Sequence, residues 1–419
     1  MVRLAIVGIG GYAARLIDAI RAVSDAADCR LVAAADRHLK SLGGHADRLR
    51  HEGVALFEDA EEMLRAVAGN CDAVYIAGSI ATHAPLVIAA AEAGLHVHLE
   101  KPPAATIDEV DAMIAALERH RRLCLVGFHQ IHSPDAQQLK RRLADGRLGE
   151  VHLLVCRAGW PRTRAYYARN TWAGRLRDAG RWVLDGPATN ALAHQITNVL
   201  YAGSTDARGY AEPVAVRGEL YAARADGDPQ NTSHDTAAIE IRLAGGATAY
   251  WLGSHCTGNR FGPIIEIVAE RGRVVWKPPH FAEITYAGGQ RETLPGDRPH
   301  VPMVRNFVEA VRCGEGSRLR CTLADARKFI LALNGAHESS RHVHRIGSAH
   351  AHVVEAGAEA ERTVVDGLDD LVSRAAAERR LLSDLDGAPN WAVSTDVVDL
   401  SGYAAFGQRF SVKAEHSTC

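Results

Sequence analysis

Two short stretches of the chain hold residue types whose spacing suits chemistry. In "VGIGGYA" (residues 7–13), Gly8, Gly10 and Ala13 match G-x-G-x-x-G/A. The first glycine suits a tight turn, the second lets a pyrophosphate approach the backbone, and the small third residue lets a helix lie close on a strand. Amides at the start of the following helix would then face the phosphates. In "HVHLEKPPAA" (residues 96–105), an apolar extended run gives way to Glu100, Lys101, Pro102 and Pro103. Two prolines supply no backbone donors, so the chain must leave its sheet there. In open α/β sheets ligands bind outside the carboxyl ends of the strands, and Lys101 stands at such an end.

Both stretches need a sheet to position them, and the first third of the sequence supplies its pattern. Apolar runs at Leu4–Val7, Leu31–Ala35, Ala73–Ala77, His96–Leu99 and Leu123–Gly127 read as strands. Between them, Leu16, Ile17, Ile20 and Val23 recur at helical spacing, Glu61–Val67 suits a helix, and Pro85–Ala93 suits another with proline at its start. Alternating strands and helices with near-continuous apolar strands predict a parallel sheet covered on both faces. Asp36 ends the second strand, where a carboxylate would accept the adenosine ribose hydroxyls and favour NAD. Arg37 and Lys40 follow and keep NADP open through a 2′-phosphate.

After Pro134 the pattern changes. A helical stretch, Pro134–Leu143, leads into a strand at Val151–Cys156. A loop-rich region precedes strand-like runs at Val214–Leu220, Ala237–Leu243, Ala247–Leu252, Ile264–Val268 and Val274–Trp276. Turn residues separate them, which predicts an antiparallel or mixed sheet. Helices follow at Val301–Val311 and Leu323–Ser339, and Leu368, Leu371, Val372, Ala375 and Leu382 form an apolar stripe in the tail. The expected fold is α/β: a doubly wound Rossmann domain over residues 1–130 and an α+β domain with a large open, mostly antiparallel sheet over 131–345. An extension over 346–419 would pack on the body.

At 419 residues, two domains are the default. A net charge of -2 argues against nucleic acid or an anionic membrane as partner, and no run of eighteen apolar residues occurs. Eight cysteines without CxxC spacing suit a reduced, cytoplasmic protein. Metal binding is not expected: in "HESSRH" (His337–His342) the histidines are i,i+5 and diverge, and His96 and His98 on one strand face lack an evident third ligand.

The glycine turn, the run "HAPLVIAAAEAGLHVHLEKP", the "EKPP" of Glu100–Pro103 and the "GEV" near residue 150 resemble the glucose–fructose oxidoreductase / inositol dehydrogenase / MocA (Gfo/Idh/MocA) family over roughly residues 1–340. The resemblance implies NAD(P)-dependent hydride transfer to or from a carbon of a sugar, cyclitol or related polyol. It also implies self-association, as a homodimer or homotetramer, through the second-domain sheet. Gly8, Gly10, Gly11, Tyr12, Ala13, Asp36, Arg37, Ser79, His83, Glu100 and Lys101 would then line the cofactor. Lys101 would hydrogen-bond the reacting hydroxyl and stabilise the developing alkoxide.

The family's Asp-x-Gly-x-His pattern falls on "NALAH", Asn190–His194, with Asn190 in place of the aspartate and Leu192 in place of the glycine. At i,i+4 the two side chains would share a helix face, with His194 as acid/base and Asn190 orienting it without charge. The cluster of Tyr166, Tyr167, Arg169, Asn170, Trp172 and Arg175 reads as a sugar-contacting loop or a solvated one. Tyr167, Asn170, Trp172 and His129 join Lys101, Asn190 and His194 as expected substrate residues. Two other readings stay open at this point: a glycosidase or lyase that retains its cofactor and oxidises the sugar transiently, and a nucleotide-binding protein without turnover.

Overall fold

The computed structural model describes residues 1–224, 230–354, 357 and 360–412, and the chain divides into two compact units. Met1–Ala104, Asp108–Ser133 and Asp297–Arg327 form the first; Ala105–Ile107, Pro134–Gly296 and the chain from Lys328 form the second.

The first unit alternates β1 (Val2–Val7), α1 (Tyr12–Ala27), β2 (Cys29–Ala35), α2 (Gly44–His51), β3 (Ala55–Phe57), α3 (Ala60–Val67), β4 (Ala73–Ile76), α4 (Ile80–Glu92), β5 (His96–Leu99), α5 (Ile107–Arg119) and β6 (Cys124–Val126). Its six strands are all parallel in the order β3-β2-β1-β4-β5-β6, so the winding reverses between β1 and β4. β4 is buried throughout, as a strand covered on both faces must be. α1 buries Leu16, Ile17, Ile20 and Val23 at helical spacing.

Three elements of this unit, α2, β3 and α5, lie outside the sequence expectation. α2 is largely polar and β3 has three residues, so neither carries a strong periodic signal. One boundary also moves. Pro85 was expected at the start of α4 but is its sixth residue: Ser79, in extended conformation, begins the helix, and the proline costs one bond inside it.

The second unit contains α6 (Pro134–Ala144), β7 (Val151–Gly159), α7 (Arg164–Ala168), a small hairpin of β8 (Arg177–Asp178) and β9 (Arg181–Trp182), and α8 (Ala193–Ala202). Strands β10 (Pro213–Ala222), β11 (Thr236–Leu243), β12 (Thr248–Ser254), β13 (Phe261–Ala269), β14 (Gly272–Lys277), β15 (Phe281–Tyr286) and β16 (Arg291–Pro295) follow. The chain then enters α9 (His300–Cys313) of the first unit, whose Met303, Val304, Phe307 and Val308 join Leu4, Ile6, Leu16 and Ile20 in one core. It continues through α10 (Leu323–Ser340), β17 (His344–Arg345), β18 (Ala351–Val354), β19 (Arg362–Val365), α11 (Leu368–Glu378) and β20 (Val398–Asp399).

The large sheet runs β16-β15-β14-β13-β7-β12-β11-β10-β17, with β20 on β10. Only β7 with β12 and β10 with β17 pair in parallel. Side chains alternate across it. On β10, an added Cβ at Gly218 would lie 2.6 Å from Ala336 Cα, so α10 presses on that face. Arg217, Glu219 and Tyr221 face the opposite way, toward the extension. There Tyr221 and Leu252 pack with Leu368, Val372, Ala375, Leu382 and Trp391. Arg217 pairs with Asp384 at 2.7 Å, and Glu219 accepts from the Ser383 hydroxyl.

A second fastening holds the last described residues. The Glu338 carboxylate accepts from the Tyr403 hydroxyl at 2.8 Å and from the amides of Gly407, Gln408, Arg409 and Phe410 at 2.6–2.9 Å. Burial alone would raise its pKa, but the hydroxyl and amide donors overcome it and hold the carboxyl below the usual range. A depressed acid contributes stability above its unfolded pKa and loses it as pH falls through the folded value. Glu338→Ala should therefore cost on the order of 3 kcal/mol at pH 7, by stranding several donors at once. Hydrogen exchange should show the amides of residues 407–410 losing protection first; unchanged protection would refute the clamp.

Candidate active site

In the first unit the strand ends converge on one edge. Gly8 follows β1 with φ +97°, and a Cβ there would sit 3.1 Å from the Ala77 carbonyl oxygen. Only glycine takes that backbone without strain. Gly11, at φ +58°, leads into α1, whose first turn carries no acid that would repel an anion. Asp36 accepts from the Ile9 amide through one oxygen and from the His38 amide through the other, each at 2.9 Å. This fixes the carboxylate beside the glycine turn. Arg37 is exposed, and Lys40 pairs with Glu58 at 3.2 Å.

Glu100 and Lys101 follow β5. Glu100 is buried, its Oε2 accepts from the Lys101 amide at 3.1 Å, and its Oε1 meets no hydrogen-bond partner among the described residues. Burial pushes its pKa up to about 7, against the opposing pull of Lys101. His83 is buried and bonds the Pro102 carbonyl at 2.9 Å, with burial lowering its pKa to about 4. It therefore buttresses the Lys101–Pro102 turn as a neutral imidazole. Ser79 stands at the N-cap of α4 on the same edge.

Tyr12, the first residue of α1, connects two further groups. Its hydroxyl lies 3.0 Å from both His129 Nδ1 and His300 Nε2, and the two imidazoles stack at 4.5 Å. Burial lowers both histidines and raises the phenol, so all three are neutral at pH 7. One hydroxyl can donate to one ring nitrogen while accepting from the other.

In the second unit Asp185 gathers the polar cluster. Its carboxylate accepts from Asn190 Nδ2 at 2.8 Å and from the Gly174 amide at 2.7 Å, with Arg169 at 3.5 Å. Arg169 lies over the Tyr166 ring, 3.7 Å from its centroid. Asn170 uses its Oδ1 to accept from the amides of Trp172 and Ala173, which shapes the turn, and Trp172 is half-buried beside Arg169. The Tyr167 hydroxyl lies 3.2 Å from His255 Nδ1.

His194 is buried as the second residue of α8, but Asn190 belongs to a separate π turn, Pro187–Ala191. The expectation of one shared helix face is thus corrected. Leu192, at φ −115°, breaks the helix between them. Asp185, His255 and His300 escaped the sequence reading, the two histidines because each meets its partner only through tertiary folding. Asp185, five residues before Asn190 in "LDGPATN", was the one with a local signal.

Among the described residues no group of three or more His, Cys, Asp or Glu converges to hold a metal ion. His96 Nδ1 accepts from the Leu123 amide, His98 stacks on Tyr75, and His337 bonds the Leu333 carbonyl within α10.

Residues 2–128 match a family model described as an oxidoreductase family with an NAD-binding Rossmann fold, and residues 136–275 match the GFO/IDH/MocA C-terminal domain. The chain belongs to the Gfo/Idh/MocA oxidoreductase family. It is similar to an inositol 2-dehydrogenase of Rubrobacter xylanophilus, 30% identical over 250 residues, covering 59% of this chain and 64% of that one. A D-glucoside 3-dehydrogenase of Escherichia coli is 27% identical over 210 residues, covering 47% and 58%. The matches thus span about three fifths of these curated relatives. The WlbA dehydrogenase of Bordetella pertussis, solved with NADH and UDP-GlcNAcA, shares the fold with a TM-score of 0.66 at 21% identity, covering 81% of this chain and 96% of that one.

A dinucleotide fits the first unit of this family member on two counts: the cradle that a Cβ at Gly8 would crowd, and the pinned Asp36 carboxylate beside it. Asp36 should make NAD bind more tightly than NADP, and Asp36→Ser should shift the preference toward NADP through Arg37. Fluorescence titration of both cofactors checks this, and a wild-type preference for NADP would refute it. Glu100 sets a pH dependence of opposite sign to that of Glu338. Its folded pKa lies above the unfolded one, so stability is full below about pH 4.5 and falls as pH rises toward 7. Glu100→Gln should flatten that slope, which is worth ~1–3 kcal/mol, in thermal melts from pH 5 to 8.

Proposed function

We propose that this protein is an NAD(P)-dependent oxidoreductase transferring a hydride between nicotinamide and a hydroxyl-bearing carbon of a sugar, cyclitol or sugar-derived polyol. The observation that carries this reading is Lys101 at the carboxyl end of β5, beside buried Glu100 and on the edge that holds the glycine cradle. Two relatives named inositol 2-dehydrogenase and D-glucoside 3-dehydrogenase support a polyhydroxylated substrate.

When bound, the dinucleotide supplies the hydride acceptor or donor. The turn at Gly8–Ala13 would hold its pyrophosphate on the amides of α1, and Asp36 would accept hydrogen bonds from its ribose hydroxyls. The Lys101 ammonium donates to the substrate oxygen and stabilises negative charge as the C–H bond breaks. His83 fixes the turn that carries this lysine through its bond to Pro102. Glu100 exchanges a proton near neutral pH and so tunes the charge beside Lys101. His194 is the proposed acid/base of the second unit, and Tyr167, Trp172 and Asn190 contact the substrate. Self-association through the large sheet would use its outward face at β13–β15, where Ile264, Glu266, Val268, Val275 and Glu283 remain half-buried.

NADH formation over a panel of sugars, inositols and glycosides tests the reading, and turnover of a glycoside without added NAD would replace it with the cofactor-retaining mechanism. On an accepted substrate, Lys101→Ala should lower kcat by ~10²-fold or more while NAD affinity stays near wild type. Weaker NAD binding at unchanged kcat would assign Lys101 to the cofactor instead. His194→Ala should lose most turnover and the limiting pKa of the pH–rate profile while retaining NAD binding; an unchanged profile makes this histidine structural.

A further inference from the structure

The glycine turn is tied down unevenly. Its front half is held at the end of β2: the Gly8 amide donates to the Ala35 carbonyl at 2.8 Å and the Ile9 amide to the Asp36 carboxylate at 2.9 Å. The back half has no such tie. Among the described residues, Gly10 and Gly11 form no hydrogen bond outside the turn and the helix it opens. Gly11 caps α1 without a side-chain bond, so the first amides of the helix stay open to an anion. Glycine backbone is permissive, and ordering it when a ligand arrives costs conformational entropy.

The Tyr12 side chain supplies the missing tie. Tyr12 follows Gly11 directly, and its hydroxyl reaches two elements that lie far apart in the sequence. His129 stands just beyond β6 and His300 opens α9, each with a ring nitrogen 3.0 Å from the phenolic oxygen. The imidazoles stack at 4.5 Å, which limits how far either can turn. Burial lowers both histidines, and the positive charges of Arg15, Lys101 and Arg298 add to the effect. Burial likewise raises the phenol, with Glu100 adding to the rise and Arg15 opposing it. A neutral hydroxyl between two neutral rings donates to one and accepts from the other. α9 is itself fixed, since Met303, Val304 and Phe307 share a core with Leu16 and Ile20 of α1.

We propose that His129 and His300 are positioning residues for the dinucleotide. Acting through Tyr12, they hold the back half of the glycine turn in its receiving shape before the cofactor arrives. The turn is then ordered on folding and not on binding, which raises affinity. The inference deepens the dinucleotide part of the reading above and rests on it, but is independent of the sugar or cyclitol substrate. It gives α9 a part in the cradle, although that helix lies far along the chain from the glycine motif.

Fluorescence titration of the full chain with NADH, and displacement of NADH by ADP-ribose and by AMP, tests this. ADP-ribose keeps the pyrophosphate without the nicotinamide, and AMP lacks the pyrophosphate. Tyr12→Phe and His300→Leu should each weaken NADH and ADP-ribose by about 10-fold, the worth of one hydrogen bond, and leave AMP within about 2-fold. His300→Gln, whose side-chain amide can replace Nε2, should recover most of that affinity. The double variant should bind no more weakly than Tyr12→Phe alone, because the hydroxyl is the shared link. Melting curves without cofactor check that each variant is folded. Equal affinities across the variants overturn the proposal, and so does weakening that the glutamine fails to relieve, which marks a merely structural histidine. Loss confined to NADH would put the three residues at the nicotinamide, and equal loss of AMP would mean general damage to the unit; either result overturns it. A wild-type chain that binds neither NADH nor NADPH would remove the dinucleotide reading itself, and the proposal with it, a result distinct from all of these.

Discussion

The parallel register of the first sheet is the constraint on which the candidate site depends. Val7 pairs with Ala35 and Ile76, Ile76 with Leu99, and Leu99 with Val126, so five neighbouring strands end on one line. The residues immediately beyond are Gly8, Asp36, Ala77, Glu100 and Gly127. They meet because the ladder hydrogen bonds leave them nowhere else to go. Crowding on that line then decides residue type. A Cβ on Gly127 would lie 2.6 Å from Glu100 Oε1, and one on Gly8 would press on the Ala77 carbonyl. The same closeness buries Glu100 and raises its pKa, so packing and acid–base behaviour have a single cause here.

The second unit solves a different problem, that of holding polar groups inside a mostly apolar shell. Asp185 does so by accepting from a backbone amide and a side-chain amide while attracting Arg169. Asn190 is thus tied to a carboxylate although it stands where the family places one. Asp185 supplies that carboxylate from five residues upstream, and the π turn Pro187–Ala191 lies between it and α8. A neutral residue at 190 therefore does not leave this part of the protein without an anion.

What could be read in the sequence was whatever local pattern encodes. The glycine turn, the Glu100–Pro103 stop and the apolar strands β1, β2, β4 and β5 all rest on neighbours a few residues apart, and the structure places them as the pattern says. β15 and β16 were overlooked although Ala282 and Ile284 alternate with polar residues, because the strands are short and half-exposed. The return of α9 to the first unit had no local signal: its apolar face reads the same whichever core receives it. The resemblance puts His83 among the cofactor residues, and only the fold shows it bonded to Pro102 behind the lysine.

The tail beyond residue 346 shows how such long-range facts accumulate. An apolar stripe predicts that α11 packs on something, but the partner is decided by the sheet. Arg217, Glu219 and Tyr221 point away from α10 because strand residues alternate and Gly218 must admit Ala336. A charged pair on that face would be poorly placed against a purely apolar cover. The extension meets it with Asp384 and Ser383 at the edge and Leu382 and Trp391 beside Tyr221. Removing the extension would therefore expose an apolar core and a buried carboxylate, Glu219, whose pKa burial already holds near 7. The extension is consequently part of the domain's core.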